Sequence, residues 1–125
     1  MLKKILNNKK IIMITMAILL LCVTAFIKAD QEQDSILSNI ENISISSKMI
    51  EDKKYDEAVK ILYKVENVDF YFLKNQQLGD IAFLTGKYEE ALSFYNIAQV
   101  HAKDKIMYEY MAKKMDYIKT TKLVK

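Results

Sequence analysis

The stretch Leu78–Ala98, LGDIAFLTGKYEEALSFYNIA, leaves the chain few choices. Leu78, Ile81, Ala82 and Thr85 fall at i, i+3, i+4 and i+7, one face of a helix. Gly86 follows, where a left-handed residue ends a helix at little steric cost. A second apolar stripe then begins with Ala91, Leu92, Tyr95 and Ala98 and runs on through Gln99 and Ala102. Two helices joined this closely bury both stripes only by packing antiparallel. Gly79, Ala82, Ala91 and Ala98 are small enough to let the axes approach, and Tyr88 and Tyr95 supply bulk beside them. By themselves these residues fit any helical hairpin with small-residue packing.

The pattern recurs. Tyr55, Ala58, Leu62 and Val65 precede Tyr88, Ala91, Tyr95 and Ala98 by one and the same interval at all four positions. The first half of the earlier unit is degenerate, with Ile45-Ser46 where Leu78-Gly79 stand and Met49 where Ala82 stands. Ahead of it, Ile36, Ile40, Ile43 and Ile50 form a helical stripe widened by Leu37 and Met49. Ser38-Asn39-Ile40-Glu41 matches a capping box, which allows a late helix start. Asn67-Val68-Asp69 supplies turn and cap residues between the units. Asp104 can cap a final helix whose stripe is Tyr108, Met111, Met115 and Ile118. That helix repeats the first half of the strong unit after the same interval. Lys113, Lys114, Lys119, Lys122 and Lys125 crowd its later part, favourable to the helix dipole.

These residues resemble the tetratricopeptide repeat, whose pattern runs W-x2-L-G-x2-Y, then A-x3-F, then P, with a period of about 34. Here Asn75-x2-Leu78-Gly79-x2-Ala82 is followed by Ala91-x3-Tyr95 and Lys103. Leu, Gly and Ala match and Tyr replaces Phe, while Trp, the first Tyr and the closing Pro are replaced. The resemblance implies an all-α chain of about two and a half helix–turn–helix repeats, an α-solenoid fragment. The expected boundaries are a targeting segment at 1–29 and a helical domain at 30–125, with repeats near 38–69 and 71–103 and a capping helix at 104–121. Stacked repeats usually need about three units for stability, so a homo-oligomer is a further expectation.

The resemblance also implies a function. In this family the first helix of each repeat lines a concave groove that takes a peptide or a protein helix. Carried over, that face presents Gln76, Gln77, Asp80 and Phe83 in the strong repeat. In the last helix it presents Ile106, Glu109, Tyr110, Lys113 and Tyr117. Tyr110 and Tyr117, seven apart and off the Met stripe, either pack a neighbouring element or form a binding surface, where tyrosine is enriched. Some family members clamp a C-terminal carboxylate with Lys and Asn; the negative charge of Asp80 and Glu109 argues against that use here. The expected function is a non-enzymatic adaptor for another protein or peptide segment, and the alternative is a self-association module that spaces a membrane assembly.

Charge narrows the partners. Five of the 19 lysines stand in residues 1–29, where there is no acid, leaving 14 lysines against 16 acids in the remainder. A nucleic-acid domain shows the opposite balance. There is no Arg to supply a planar fork for phosphate or guanine, so no nucleic-acid partner is expected. No cofactor is expected either: the chain has no Gly-rich phosphate loop and no Ser or Cys nucleophile motif. Asp56-Glu57 and Glu89-Glu90 read as helix N-terminal charges. His101, the single histidine, has no metal-ligand partner at helical spacing and reads as exposed and inert.

Before the domain, Lys3, Lys4, Lys9 and Lys10 precede the apolar run Ile11–Ile27. A basic segment followed by such a run is a targeting signal, and its length reaches the lower edge of a spanning helix, about 17–25 residues. Three fates stay open. The run is retained as an anchor with its lysines on the cytoplasmic side. It is cleaved after Ala25 or Ala29. Or it is lipidated at Cys22, although Leu21 is larger than the residue a lipoprotein box carries there. Each fate places the domain outside the cytoplasm. With a single cysteine the domain has no internal disulfide and rests on its core.

Overall fold

Five α-helices account for most of the computed structural model, which describes residues 1–124 and has no strand among them. They are α1 (Leu2–Glu51), α2 (Tyr55–Leu62), α3 (Tyr71–Leu84), α4 (Tyr88–Val100) and α5 (Lys105–Thr121), with a 3-10 turn at Val68–Phe70. Lys125, counted above in the basic C-terminal stretch, lies outside the described residues. The chain divides into two compact units, Met1–Ile36 and the residues from Leu37 on.

In the first unit the apolar run is helical and uncovered by protein. Leu20, Leu21 and Phe26 expose 68, 69 and 75% of their surface. The hydroxyls of Thr15 and Thr24 donate to the Ile11 and Leu21 carbonyls at 2.5 and 2.9 Å. The run's two polar side chains are thereby satisfied within the helix, as a hydrocarbon environment requires. By length and composition α1 can cross a membrane, a property that signal sequences share.

Two sequence expectations fail along α1. The helix runs unbroken through 30–41, so Ser38-Asn39-Ile40-Glu41 caps nothing. Ile36 and Ile40 are 43 and 50% exposed, whereas Asn39 and Ser46 are buried. The face that packs on the other helices of the second unit carries Asn39, Ile43, Ser46, Met49 and Ile50. Polar members survive there because they have partners. The Asn39 carbonyl oxygen accepts from the Asn67 backbone N–H at 3.5 Å, and the Ser46 hydroxyl bonds the Gln77 side chain. Buried polar groups held in this way carry little desolvation penalty.

The second unit has two hydrophobic clusters that share α3. Leu78 and Ile81 of α3 pack with Ala58 and Leu62 of α2, with Ile43, Met49 and Ile50 against them. Phe72 and Ala82 of α3 pack with Ala91, Tyr95 and Ala98 of α4 and with Met111 and Ile118 of α5. Full burial of a side chain such as Leu62, Met111 or Ile118 stabilises by roughly 1.5–3 kcal/mol. Tyr108, expected on that stripe, is instead 53% exposed.

The turns follow from local chemistry. Gly86 has φ +78°, and its N–H donates to the Phe83 carbonyl at 3.1 Å while the Lys87 N–H donates to the Ala82 carbonyl at 2.8 Å. This paired bonding closes a helix through a left-handed residue. Asp104 caps α5, its carboxylate accepting from the Met107 N–H at 2.8 Å, and Asn67 accepts from the Asp69 N–H at 2.9 Å to open the 3-10 turn. Gly79 is where α3 and α4 come closest: a Cβ there would lie 2.5 Å from Cε1 of Tyr95. His101 is half-buried rather than exposed, its ring edge-on to Tyr71 at 5.3 Å between centroids.

Candidate functional site

A groove of about 480 Å³ opens within the second unit between α3 and α5, closed at one side by Ile50 of α1. Its walls are apolar. Phe83 and Leu84 come from α3, and Tyr110, Tyr117 and Ile118 from α5. Helical spacing places them, because Asp80, Phe83 and Leu84 lie at i, i+3 and i+4, while Tyr110, Lys113, Lys114 and Tyr117 lie at i, i+3, i+4 and i+7. Leu84, Tyr110 and Tyr117 expose 54, 47 and 53% of their surface, and the Phe83 and Tyr117 rings stand 6.1 Å apart. Three large side chains left this open around one concavity form a patch of the kind that marks an interaction site.

On the groove floor stands a polar cluster. Lys114 Nζ lies 2.6 Å from Asp80 Oδ1, and the Tyr95 hydroxyl donates to the same oxygen at 2.5 Å. The Lys114 ammonium also sits 5.2 and 5.0 Å from the Tyr95 and Tyr110 ring centroids, within cation–π range. Burial pushes the Tyr95 hydroxyl above its ordinary pKa, and its hydrogen bond to the Asp80 carboxylate and the charge of that group push it further. The phenol therefore stays protonated and keeps donating. The cluster ties α3, α4 and α5 together and leaves no net charge between Asp80 and Lys114. Lys113 is the remaining cation lining the groove, exposed and without an ion-pair partner among the described residues.

The seven residues expected to bind a partner divide unequally. Asp80, Phe83, Tyr110, Lys113 and Tyr117 line the groove together. Gln77 does not. Its amide is engaged with Ser46 and donates to the Ile43 carbonyl at 3.4 Å, so it joins α3 to α1. Gln76 is half-buried one turn before Asp80 and outside the groove lining. Of the other residues assigned to that face, Glu109 pairs with Lys105 at 3.6 Å, Ile106 is 80% exposed, and neither lines the groove. The free negative charge expected from Asp80 is cancelled by Lys114. Sequence reasoning passed over Lys114, read above only as part of a basic helix end. The available signal was its place, four residues after Tyr110 on the same helix face.

A second cluster surrounds Lys74. Its ammonium donates to the Val65 carbonyl at 2.9 Å and stands 5.3 and 5.2 Å from the Tyr63 and Tyr71 rings. Burial lowers its pKa and the neighbouring Glu66 opposes that shift. The Tyr71 hydroxyl donates to the Glu66 carbonyl at 3.1 Å. Together these bonds satisfy carbonyls of the link between α2 and α3, a structural clamp. Among the described residues no three His, Cys, Asp or Glu side chains converge as metal ligands.

The order and packing of these helices meet an independent finding: a family model, described as tetratricopeptide repeat-like domain, matches residues 24–120. The chain belongs to that family. No curated protein and no solved structure matches it. Tetratricopeptide repeat-like domains are generally non-catalytic modules for protein–protein interaction.

Proposed function

We propose that this chain is a non-enzymatic protein–protein interaction module that holds a partner chain's segment in the groove between α3 and α5. The observation that carries the proposal is the groove itself. Phe83, Tyr110 and Tyr117 offer apolar area at one concavity, Lys113 adds a free charge at its edge, and the Asp80–Lys114–Tyr95 cluster fixes the two walls. Aromatic side chains in such positions are the usual anchors of a binding interface. A photo-reactive residue at Lys113 of the full chain should capture a specific polypeptide. Capture should fall at least about 30-fold on Tyr110→Ala with Tyr117→Ala, the loss of two anchors worth roughly 1 kcal/mol or more each. Val100→Ala, exposed on α4, should leave it unchanged. A double variant that stays helical and keeps its capture would remove the groove from consideration.

We further propose that Ile11–Ile27 tethers the domain to the membrane with Lys3, Lys4, Lys9 and Lys10 on the cytoplasmic side, so that the domain works outside the cytoplasm, and that cleavage would release it there. Alkaline phosphatase fused after residue 30 should be active, and a reporter requiring the cytoplasm should be silent at the same junction. The reverse pattern overturns the orientation.

A further inference from the structure

We infer that the segment held in the α3–α5 groove is supplied by a second copy of this chain, from the exposed face of α1 around Leu37, Ile40 and Glu41. The inference rests on the reading that the groove accepts a protein segment, and it names that segment.

The starting observation is an apolar stripe that the fold leaves uncovered. At about 100° per residue, Asn39, Ser46 and Ile50 fall within about 40° of one another and mark the side of α1 packed on α2 and α3. Leu37 lies about 160° from Asn39 by the same rotation, and Ile40 about 60° from Leu37. Leu37 and Ile40 expose 56 and 50% of their surface. On the same count Glu41 lies about 40° from Leu37, on the side away from Ile40. The face is therefore an apolar pair edged by the carboxylate of Glu41. Glu41 has no ion-pair partner among the described residues.

The groove has the complementary character. It is an apolar concavity, and Lys113 is its unpaired charge. The acceptor and the segment also differ in overall sign. Residues 29–47 hold Asp30, Glu32, Asp34 and Glu41 and no lysine, whereas α5 holds four lysines against Glu109 and Asp116. An apolar residue of α1 seated against Phe83 and Tyr117 would bring Glu41 toward Lys113. Opposite charge at the rim sets register and partner choice more than it sets affinity. If copies share one membrane through the same apolar run, their effective concentration is raised.

Two differently tagged full-length chains, both carrying Cys22→Ser, test this directly in the membrane. One carries Leu37→Cys and the other Tyr117→Cys, so each chain has a single thiol and a mixed-tag disulfide reports one geometry. Mild oxidation should give the mixed-tag dimer. Val100→Cys in place of Tyr117→Cys should give none. A second pair, Ile40→Cys with Leu84→Cys, guards against one cysteine disturbing its own site. Lys113→Glu in the groove chain should lower the yield about threefold, the size expected of an exposed ion pair. Glu41→Lys in the other chain should restore it. Mixed dimers equally strong at position 100, or absent for both groove pairs, overturn the inference. If they are absent while the Lys113 photo-probe captures an unrelated protein sensitive to Tyr110→Ala with Tyr117→Ala, the groove stands and only self-docking falls. If that capture is also insensitive, both fall.

Discussion

The helical hairpin made by the end of α1 with α2 and the one made by α3 with α4 solve the same packing problem with different residues. Ala58 and Ala91, equivalent positions of the two repeats, are both fully buried. At the close approach of the helices the pairs diverge. The second hairpin sets Gly79 under the ring of Tyr95, where even one methyl group would collide. The first has Ser46 and Leu62 at the corresponding positions, both fully buried. The glycine is thus not kept between the repeats: where the second has Gly79 and Tyr95, the first has Ser46 and Leu62.

The difference has a functional side. Because Tyr95 is a phenol rather than a leucine, the second hairpin reaches Asp80 and, through it, Lys114 of α5. The first hairpin has no such polar link at this position, since Leu62 cannot donate. The residue that fills the crossing of the second hairpin thus also fixes the wall of the groove.

The largest effect should come from breaking that crossing. Gly79→Leu drives a side chain into a ring held on its far side by Asp80, and overpacking of this kind costs roughly 3 kcal/mol or more. Thermal unfolding of the full chain, followed by circular dichroism, should show the domain transition lowered by well over 10 °C, taking about 4–8 °C per kcal/mol for a small domain. Gly79→Ser should cost less. Combining it with Tyr95→Leu recreates the first hairpin's pair, and the double variant should be more stable than Gly79→Ser alone. Simple additivity of the two losses would break the equivalence drawn here.

Tyr95→Phe is the next test. It keeps the ring and removes one hydrogen bond to a carboxylate, a loss of about 1.5–3 kcal/mol. The pH dependence carries a sign. The folded state holds Tyr95 protonated above its ordinary value of 10.0, while the unfolded chain releases that proton near it. The stabilisation is complete below pH 10 and is lost as pH rises further. The advantage of the wild type over Tyr95→Phe should therefore shrink above pH 10 by about 1.4 kcal/mol per pH unit. An advantage that stays constant to pH 11.5 would mean the hydroxyl is not held as described.

Much of the fold could be read from residues that repeat. The constant interval between equivalent positions and the small residues Gly79, Ala82 and Ala91 specify antiparallel helices, because only such packing buries both stripes. Asp104, Asn67 and Gly86 announce their own turns, since each acts within three residues of itself. The reading failed along α1, where periodicity counted apolar residues and burial did not follow them. Asn39 and Ser46 are buried because partners from 28 and 31 residues away satisfy them, and no local pattern carries that information. The groove was partly legible for the same reason. Phe83, Tyr110 and Tyr117 declare themselves by helical spacing. Gln77 and Lys114 exchanged their expected places because their partners, Ser46 and Asp80, come from other helices.

The smallest expected effect lies in the two turns. Lys53 has φ +60° and occupies the position in the first repeat that Gly86, at φ +78°, occupies in the second. The bonding is the same: the Lys53 N–H donates to Ile50 at 3.0 Å and the Lys54 N–H to Met49 at 2.8 Å, as Gly86 and Lys87 do to Phe83 and Ala82. A side chain in this conformation crowds its own carbonyl at a cost of roughly 1–2 kcal/mol, which glycine avoids. Glycine also leaves the unfolded chain more freedom, which offsets part of the gain. Lys53→Gly should therefore stabilise the first hairpin by about 0.5–1 kcal/mol, while Gly86→Lys should destabilise the second by about the same amount. Nothing lies within 4 Å of a Cβ built at Gly86, so the second change is a pure test of backbone strain. Opposite shifts of the domain transition, a few degrees each, would establish that the two hairpins share one turn and differ in how well the sequence suits it. Two shifts of the same sign would show that the Lys53 side chain contributes contacts that glycine cannot replace.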